Sequence, residues 1–329
     1  MKAKLLFVAA LLATIAVKAQ NIAVVSPNNE TDIYQTLDEA IGNAAEGSVI
    51  YLPGGGFTIS NNTKITQRLT IMGVSHRGDT DNADGATIIN GKLQFDRGSS
   101  GSAVIGAYIS GNVEIDSVQN ITVRKCNAYS IQVLNSGATG LVVNQCYLRE
   151  DCNFGNCNAR IENNIIDVAI NVTGGIIRHN VFTGTRAEYW GDGYWRSRQI
   201  GRIYSSIIED NFFLNWSDGA AQIDNCVISR NCIGTGSWGS DTDPYVLGES
   251  VTWDDVFMKH KGCTTSSDYS LKGTWGKGEA SDGSDIGIFG GSGFDPKALA
   301  PIPRIVSKKV DEQTDGTGRL HIEVTVKSN

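Results

Sequence analysis

Four short stretches of the chain repeat one pattern: I-E-N-N-I-I at 161–166, I-R-H-N-V-F at 177–182, I-E-D-N-F-F at 208–213 and I-S-R-N-C-I at 228–233. An apolar residue is followed by two variable ones, an Asn, one further residue and an apolar one, so Asn164, Asn180, Asn211 and Asn231 hold the same place. Working upstream, V-V-N-Q-C-Y and T-V-R-K-C-N read as weaker copies with Gln145 and Lys125 at the Asn place, and degenerate copies fall near Ala107 and Gly91. Successive steps are 16, 18, 20, 19, 16, 31 and 20 residues, one period apart from the 31. That period is too short for two helices. The copies are rich in Ile and Val and bounded by Gly, Asn and Ser, which is strand-and-turn chemistry. A strand unit of this size cannot bury its own apolar side, so the repeat predicts a solenoid whose coils stack ~4.8 Å apart. Asn suits a fixed corner because it tolerates the left-handed conformation and its amide can bond from coil to coil.

Outside the repeat, T-L-D-E-A-I-G-N-A-A (36–45) is the one convincing amphipathic helix, and it stands where a cap for the first coil would be. V-I-Y-L-P-G-G-G-F-T-I and L-T-I-M-G-V follow it and read as the first coils. Together with D-G-S-D-I-G-I-F-G-G (282–291), these stretches resemble the secreted bacterial right-handed parallel β-helix proteins of the pectate-lyase-like superfamily, over about residues 30–295. The resemblance implies an all-β, single-stranded right-handed parallel β-helix with an N-terminal helical cap. For function it implies lyases, glycoside hydrolases, esterases and non-catalytic adhesins alike. No Gly-His-Gly stands in the chain, and Asp254-Asp255 lies beyond the last clear coil, so no catalytic residue carries over.

Composition bounds the rest. With 40% hydrophobic and 19% charged residues the chain can bury a core, and 38 Gly with 6 Pro exclude coiled coil and Pro-rich linker. Lys2 and Lys4, an apolar run over 5–17 and V-K-A before Gln20 read as a signal peptide of residues 1–19, with the solenoid at 20–300 and a tail at 301–329. No later stretch reaches the ~18 apolar residues of a membrane span. Loss of Lys2, Lys4 and Lys18 moves the formal charge from −7 to −10. An acidic exported protein argues against nucleic acid as a partner and for a secreted, periplasmic or cell-surface location. Of the seven Cys, the close spacings Cys152/Cys157 and Cys226/Cys232 invite pairing, while an odd count leaves one thiol over. The His residues do not stand at zinc-ligand spacings beside the Cys, the run Asp79, Asp81, Asp84 reads as a polar turn, and neither metal nor cofactor is identified.

Stacking turns register into columns. Glu162 and Glu209 fall roughly 9–10 Å apart across two coil spacings, near the separation an inverting hydrolase uses. Arg178 lies between them, so a Glu-Arg-Glu ion ladder reads the same residues more simply. One place on stand Asn163, His179, Asp210 and Arg230; His179 beside Asp210 is the candidate base, and an ordinary charge pair is the plainer reading. All six Trp lie between residues 190 and 275. The 31-residue step carries an insertion at 184–204 with Arg186, Tyr189, Trp190, Tyr194, Trp195, Arg196, Arg198 and Arg202; a second irregular stretch, 234–262, adds Trp238, and Trp216 lies between. Flat rings match pyranose faces, and Arg pairs a uronate. The expectation is a secreted protein that binds an extracellular polysaccharide, with cleavage as a lyase or glycoside hydrolase left open; the alternative is a non-catalytic surface or adhesive rod whose loops meet a protein partner or only complete the rod. After Pro301, R-I-V-S-K-K-V and R-L-H-I-E-V-T-V about D-E-Q-T-D-G-T-G read as a C-terminal β-hairpin, either capping the last coil or standing off as a docking element.

Overall fold

The computed structural model describes residues 21–78, 85–167, 170–184, 187–189, 195–197, 201–214, 222–233, 245–246, 251–311, 313–314 and 316–327. The leader expected at 1–19 and the run Asp79, Asp81, Asp84 lie outside them.

The chain is an all-β parallel solenoid. One face stacks nine parallel strands in register among the described residues: Val49–Leu52, Thr70–Gly73, Ala103–Ile105, Thr122–Arg124, Val142–Asn144, Arg160–Glu162, Ile176–Arg178, Ile207–Glu209 and Val227–Ser229. Their central residues form a single inward column: Ile50, Ile71, Val104, Val123, Val143, Ile161, Ile177, Ile208 and Ile228, each at most 3% exposed. β-Branched side chains recur there because a flat parallel stack gives every coil the same narrow slot. The second face runs through Tyr147–Leu148, Ile165–Ile166, Val181–Phe182, Phe212–Phe213 and Cys232–Ile233, with the rings of Phe182 and Phe213 stacked 4.5 Å apart inside. A third includes Cys152–Gly155, Ile170–Thr173, Arg202–Tyr204 and Gln222–Asp224. The longer strands Tyr108–Ile115 and Asn127–Val133 turn the corner between the second face and the third, joining them in one hydrogen-bonded sheet.

At the amino end Ile22–Val25 lies antiparallel to both Thr31–Tyr34 and Val49–Leu52. Between them the helix Leu37–Asn43 begins where the Thr36 side chain accepts the Glu39 N–H, and it buries Leu37, Ala40 and Ile41 in the core.

The corner between the first and second faces holds the Asn column. The Asn180 Oδ1 accepts both the backbone N–H and the side-chain amide of Asn164, the Asn211 Oδ1 does the same for Asn180, and the Asn231 Oδ1 for Asn211. Upstream, the register differs from the sequence expectation by one place. Val143 pairs Ile161, so Cys146, not Gln145, continues the Asn column, and Cys126, not Lys125, lies below it. Each thiol donates where the amide would: Asn164 Nδ2 reaches Val143 O, and Cys146 Sγ reaches Val123 O, one coil back. All seven cysteines are thiols, so neither Cys152/Cys157 nor Cys226/Cys232 is bridged.

Beyond residue 251 the chain leaves the coils through a short helix, Trp253–Val256, and an antiparallel pair, Phe257–Lys259 with Asp268–Leu271. Residues 272–302 then run without regular strands back along the solenoid, as a strap. Under strap and pair, Tyr147, Ile165, Val181, Phe212 and Cys232, on the outside of the second face, are buried with Phe257, Tyr269, Ile286, Ile288 and Phe294. Each large side chain so covered contributes about 1.5–3 kcal/mol.

Candidate functional site

Just before the Asn column lies a second one, Lys125, Gln145, Asn163, His179, Asp210 and Arg230, and all six residues have φ between +52° and +59°. Left-handed backbone at each corner turns these side chains out of the coil, and the strap lies across them. Arg230 donates to Glu279 O at 2.6 Å. The Asp210 carboxylate accepts the Ser281 N–H at 2.8 Å and the Ser281 hydroxyl at 2.5 Å, while its backbone carbonyl accepts Gly287 N–H. Asn163 donates to Ile288 O and Gly290 O, Gln145 to Gly293 O, and Lys125 to Leu299 O and the Asp295 carboxylate. Farther along, Ala300 N–H reaches Val74 O and the Ser75 hydroxyl donates to Lys297 O. The column expected to hold catalytic groups is the seam that fastens the strap, and the strap runs from the last coils toward the first.

His179 sits in that seam, 1% exposed, with its Nε2 3.3 Å from Asp282 Oδ2 and 3.9 Å from Asp210 Oδ2. Neither approach is aligned as a hydrogen bond, and both ring nitrogens are unpartnered among the described residues. The strap crosses the ring at Gly290-Gly291, where a Cβ on Gly290 would lie 2.5 Å from Nδ1 and one on Gly291 2.8 Å from Cδ2. A base must reach its substrate. The strap covers this one. Burial works against the Asp282 charge, but two donors from Ser284 and the His179 ring outweigh it and hold its carboxyl below the ordinary range.

Glu162, Arg178 and Glu209 form the ion ladder. Arg178 Nε donates to Glu162 Oε1 at 2.8 Å, Arg160 adds a second pair at 3.0 Å, and Arg178 lies 3.9 Å from Glu209. Burial and the adjacent Asp210 raise the Glu209 carboxyl, and Arg178 opposes them.

The insertion at 184–204 is described at Ala187–Tyr189 and Trp195–Ser197, two strands paired antiparallel with Tyr189 opposite Trp195 and Glu188 opposite Arg196. Arg186, Trp190, Tyr194, Trp216 and Trp238 lie outside the described residues. Of the remaining Trp, Trp253 stacks on Phe257 and donates to Leu214 O, and Trp275 packs in the same cluster. In these two the aromatic signal belongs to packing.

A cavity of about 600 Å3 opens on the second face, between the strap and the 265–270 segment. Arg77, Lys259, Ser267, Tyr269, Phe289 and Phe294 line it, over Ile165. It was invisible to sequence reasoning because its lining comes from four distant segments that share no spacing. The 184–204 insertion leaves the coil directly after Val181–Phe182, the strand beside Ile165–Ile166. Among the described residues no cluster of three or more His, Cys, Asp or Glu is gathered for a metal ion. No helix among them is long and apolar enough to cross a membrane.

The class these features define is a parallel β-solenoid closed on one side by its own C-terminal strap. The chain matches no family model, no curated protein and no solved structure.

Proposed function

We propose that the protein is an exported right-handed β-helix of the pectate-lyase-like kind, capped at its amino end by the helix Leu37–Asn43, that binds an extracellular polysaccharide on its second face. The observation that carries this reading is the cavity: cations (Arg77, Lys259), hydroxyls (Ser267, Ser270) and the ring of Phe289 surround one space large enough for a sugar unit, with the buried Tyr269 as part of its wall. Rings stack on pyranose faces, hydroxyls exchange hydrogen bonds with sugar hydroxyls, and the cations favour an acidic glycan. Tyr189, Trp195 and Arg196 belong to an insertion that leaves the same face. Glycan binding extends along it.

Binding is proposed without turnover by Glu162, Glu209, His179, Asp210 or Arg230, because each is engaged in the ion ladder or beneath the strap. A panel of neutral and acidic polysaccharides, read for binding and for new reducing or unsaturated ends, tests both halves. The expected result is retention of an acidic glycan, loss of retention in Arg77→Ala/Lys259→Ala, weakening in Trp195→Ala/Arg196→Ala, and no new chain ends. No retention by any glycan overturns the binding reading in favour of an adhesive rod. Chain cleavage abolished by His179→Ala overturns the non-catalytic one.

A further inference from the structure

The tail hairpin, Arg304–Val310 with Ile322–Lys327, is a two-stranded antiparallel ribbon. Because the strap runs backward, the ribbon follows Ala300 and Ile302 where they pack on Val74, near the first coils and far from the last. All of Ile322–Lys327 is exposed. Side chains alternate, so Ile322, Val324 and Val326 share one side at 57%, 47% and 57% exposure, with Val310 at 48% beside Ile322. Glu323, Thr325 and Lys327 share the other. An isolated two-stranded ribbon is marginal in water, and an open strand edge is a template for a further strand.

We infer that the free edge of Ile322–Lys327 pairs antiparallel with the same edge of a second copy of this chain, about a two-fold axis at Thr325. The strand is self-complementary in that register. Residue i faces residue 650 − i, which sets Glu323 against the partner's Lys327, Lys327 against the partner's Glu323, and Val324 against the partner's Val326. Moving the axis to residue 324 sets Glu323 against the partner's Thr325, and a half-residue shift sets it against the partner's Val326, turning polar side chains onto the apolar side. Within one chain Glu323 stands opposite Lys309 and Lys327 opposite Arg304 in the register, so among the described residues no acid stands opposite Lys327, and the second copy supplies one. The product is a four-stranded sheet with matched charge pairs on one side and Val–Val pairs on the other.

Light scattering and sedimentation of the full chain should show a monomer–dimer equilibrium in the range of ~10–100 µM. Glu323→Lys alone sets Lys against Lys at both contacts, Lys327→Glu alone sets Glu against Glu, and each should weaken self-association about tenfold or more. An equimolar mixture of the two single variants restores both opposite-charge pairs, and association should return as a heterodimer. Thr325→Cys should form a covalent dimer on mild oxidation, since residues facing across antiparallel strands lie within disulfide reach. A wild-type chain monomeric above about 100 µM overturns the inference and leaves the edge to a different partner. So does a mixture that associates no better than its components, or a dimer that Thr325→Cys does not cross-link.

Discussion

Asn211 shows how much one side chain can carry in this fold. Its Oδ1 accepts two bonds from Asn180, and its Nδ2 donates to Ile177 O and Glu209 O as well as to the Asn231 Oδ1. Truncation orphans buried groups on both neighbouring coils, so Asn211→Ala should cost about 2–4 kcal/mol in urea unfolding. Asn211→Cys should cost less, because Cys146 and Cys126 already hold this column with a thiol donating to the equivalent carbonyls. The four Asn were legible because each copy repeats them. The thiols were not: the pattern sets a polar side chain at the corner, and Gln145 and Lys125 meet it one residue early. The left-handed corner itself suits Asn163, Asp210 and His179, whereas Lys125, Gln145 and Arg230 are long enough to reach the strap that the corner faces.

At the scale of the element, the strap is held by polar contacts spaced along its length, and they do not respond alike to pH. Burial raises the Asp295 carboxyl, but the Lys125 ammonium and the N–H groups of Lys297 and Leu299 outweigh it, so its folded pKa lies below the free value. Its contribution is therefore complete above the ordinary carboxylate range of about 4 and fades as pH falls through the folded value. Glu209, in the ion ladder beside the strap and not among its contacts, is raised, so its contribution has the opposite sign: complete below the free value and lost as pH rises through the folded one. Hydrogen exchange at 297–300, corrected for intrinsic rate, should accelerate in acid below about pH 4, and Lys125→Met should remove most of that dependence. Asp210→Asn leaves one carbonyl oxygen for the two donors of Ser281, so thermolysin, which cuts before apolar residues such as Ile286, Ile288 and Phe289, should cut within 279–296 several-fold faster while the far-ultraviolet spectrum stays unchanged. None of this was legible in sequence. The column residues His179, Asp210 and Arg230 stood out as chemistry-bearing types in register, but most of their counterparts are main-chain atoms of a segment 49–77 residues or more away, which leave no pattern of side-chain types.

For the whole molecule, the strap changes what kind of object the solenoid is. A bare stack is quasi-one-dimensional: each coil touches only its neighbours, and its ends can unravel separately. Here one segment bonds successively to Arg230, Asp210, Asn163, Gln145, Lys125 and Val74, tying the last coils to the first. The coils should then unfold together. The distribution of Trp supplies the measurement, because all six lie between residues 190 and 275 and report only the later coils and the segment that leaves them, whereas far-ultraviolet dichroism reports every coil. In the native chain the fluorescence and dichroism transitions in guanidinium should superimpose, the mark of two-state behaviour. Gly290→Ala drives a Cβ into Asp285 O and the His179 ring, and should lift the strap at its middle. In that variant the transitions should separate, fluorescence moving to lower denaturant while dichroism keeps a later phase from the coils before residue 160. Superimposed curves in Gly290→Ala, at a midpoint below that of the native chain, would mean that the coil interfaces alone hold the rod together and that the strap serves only to cover the second face.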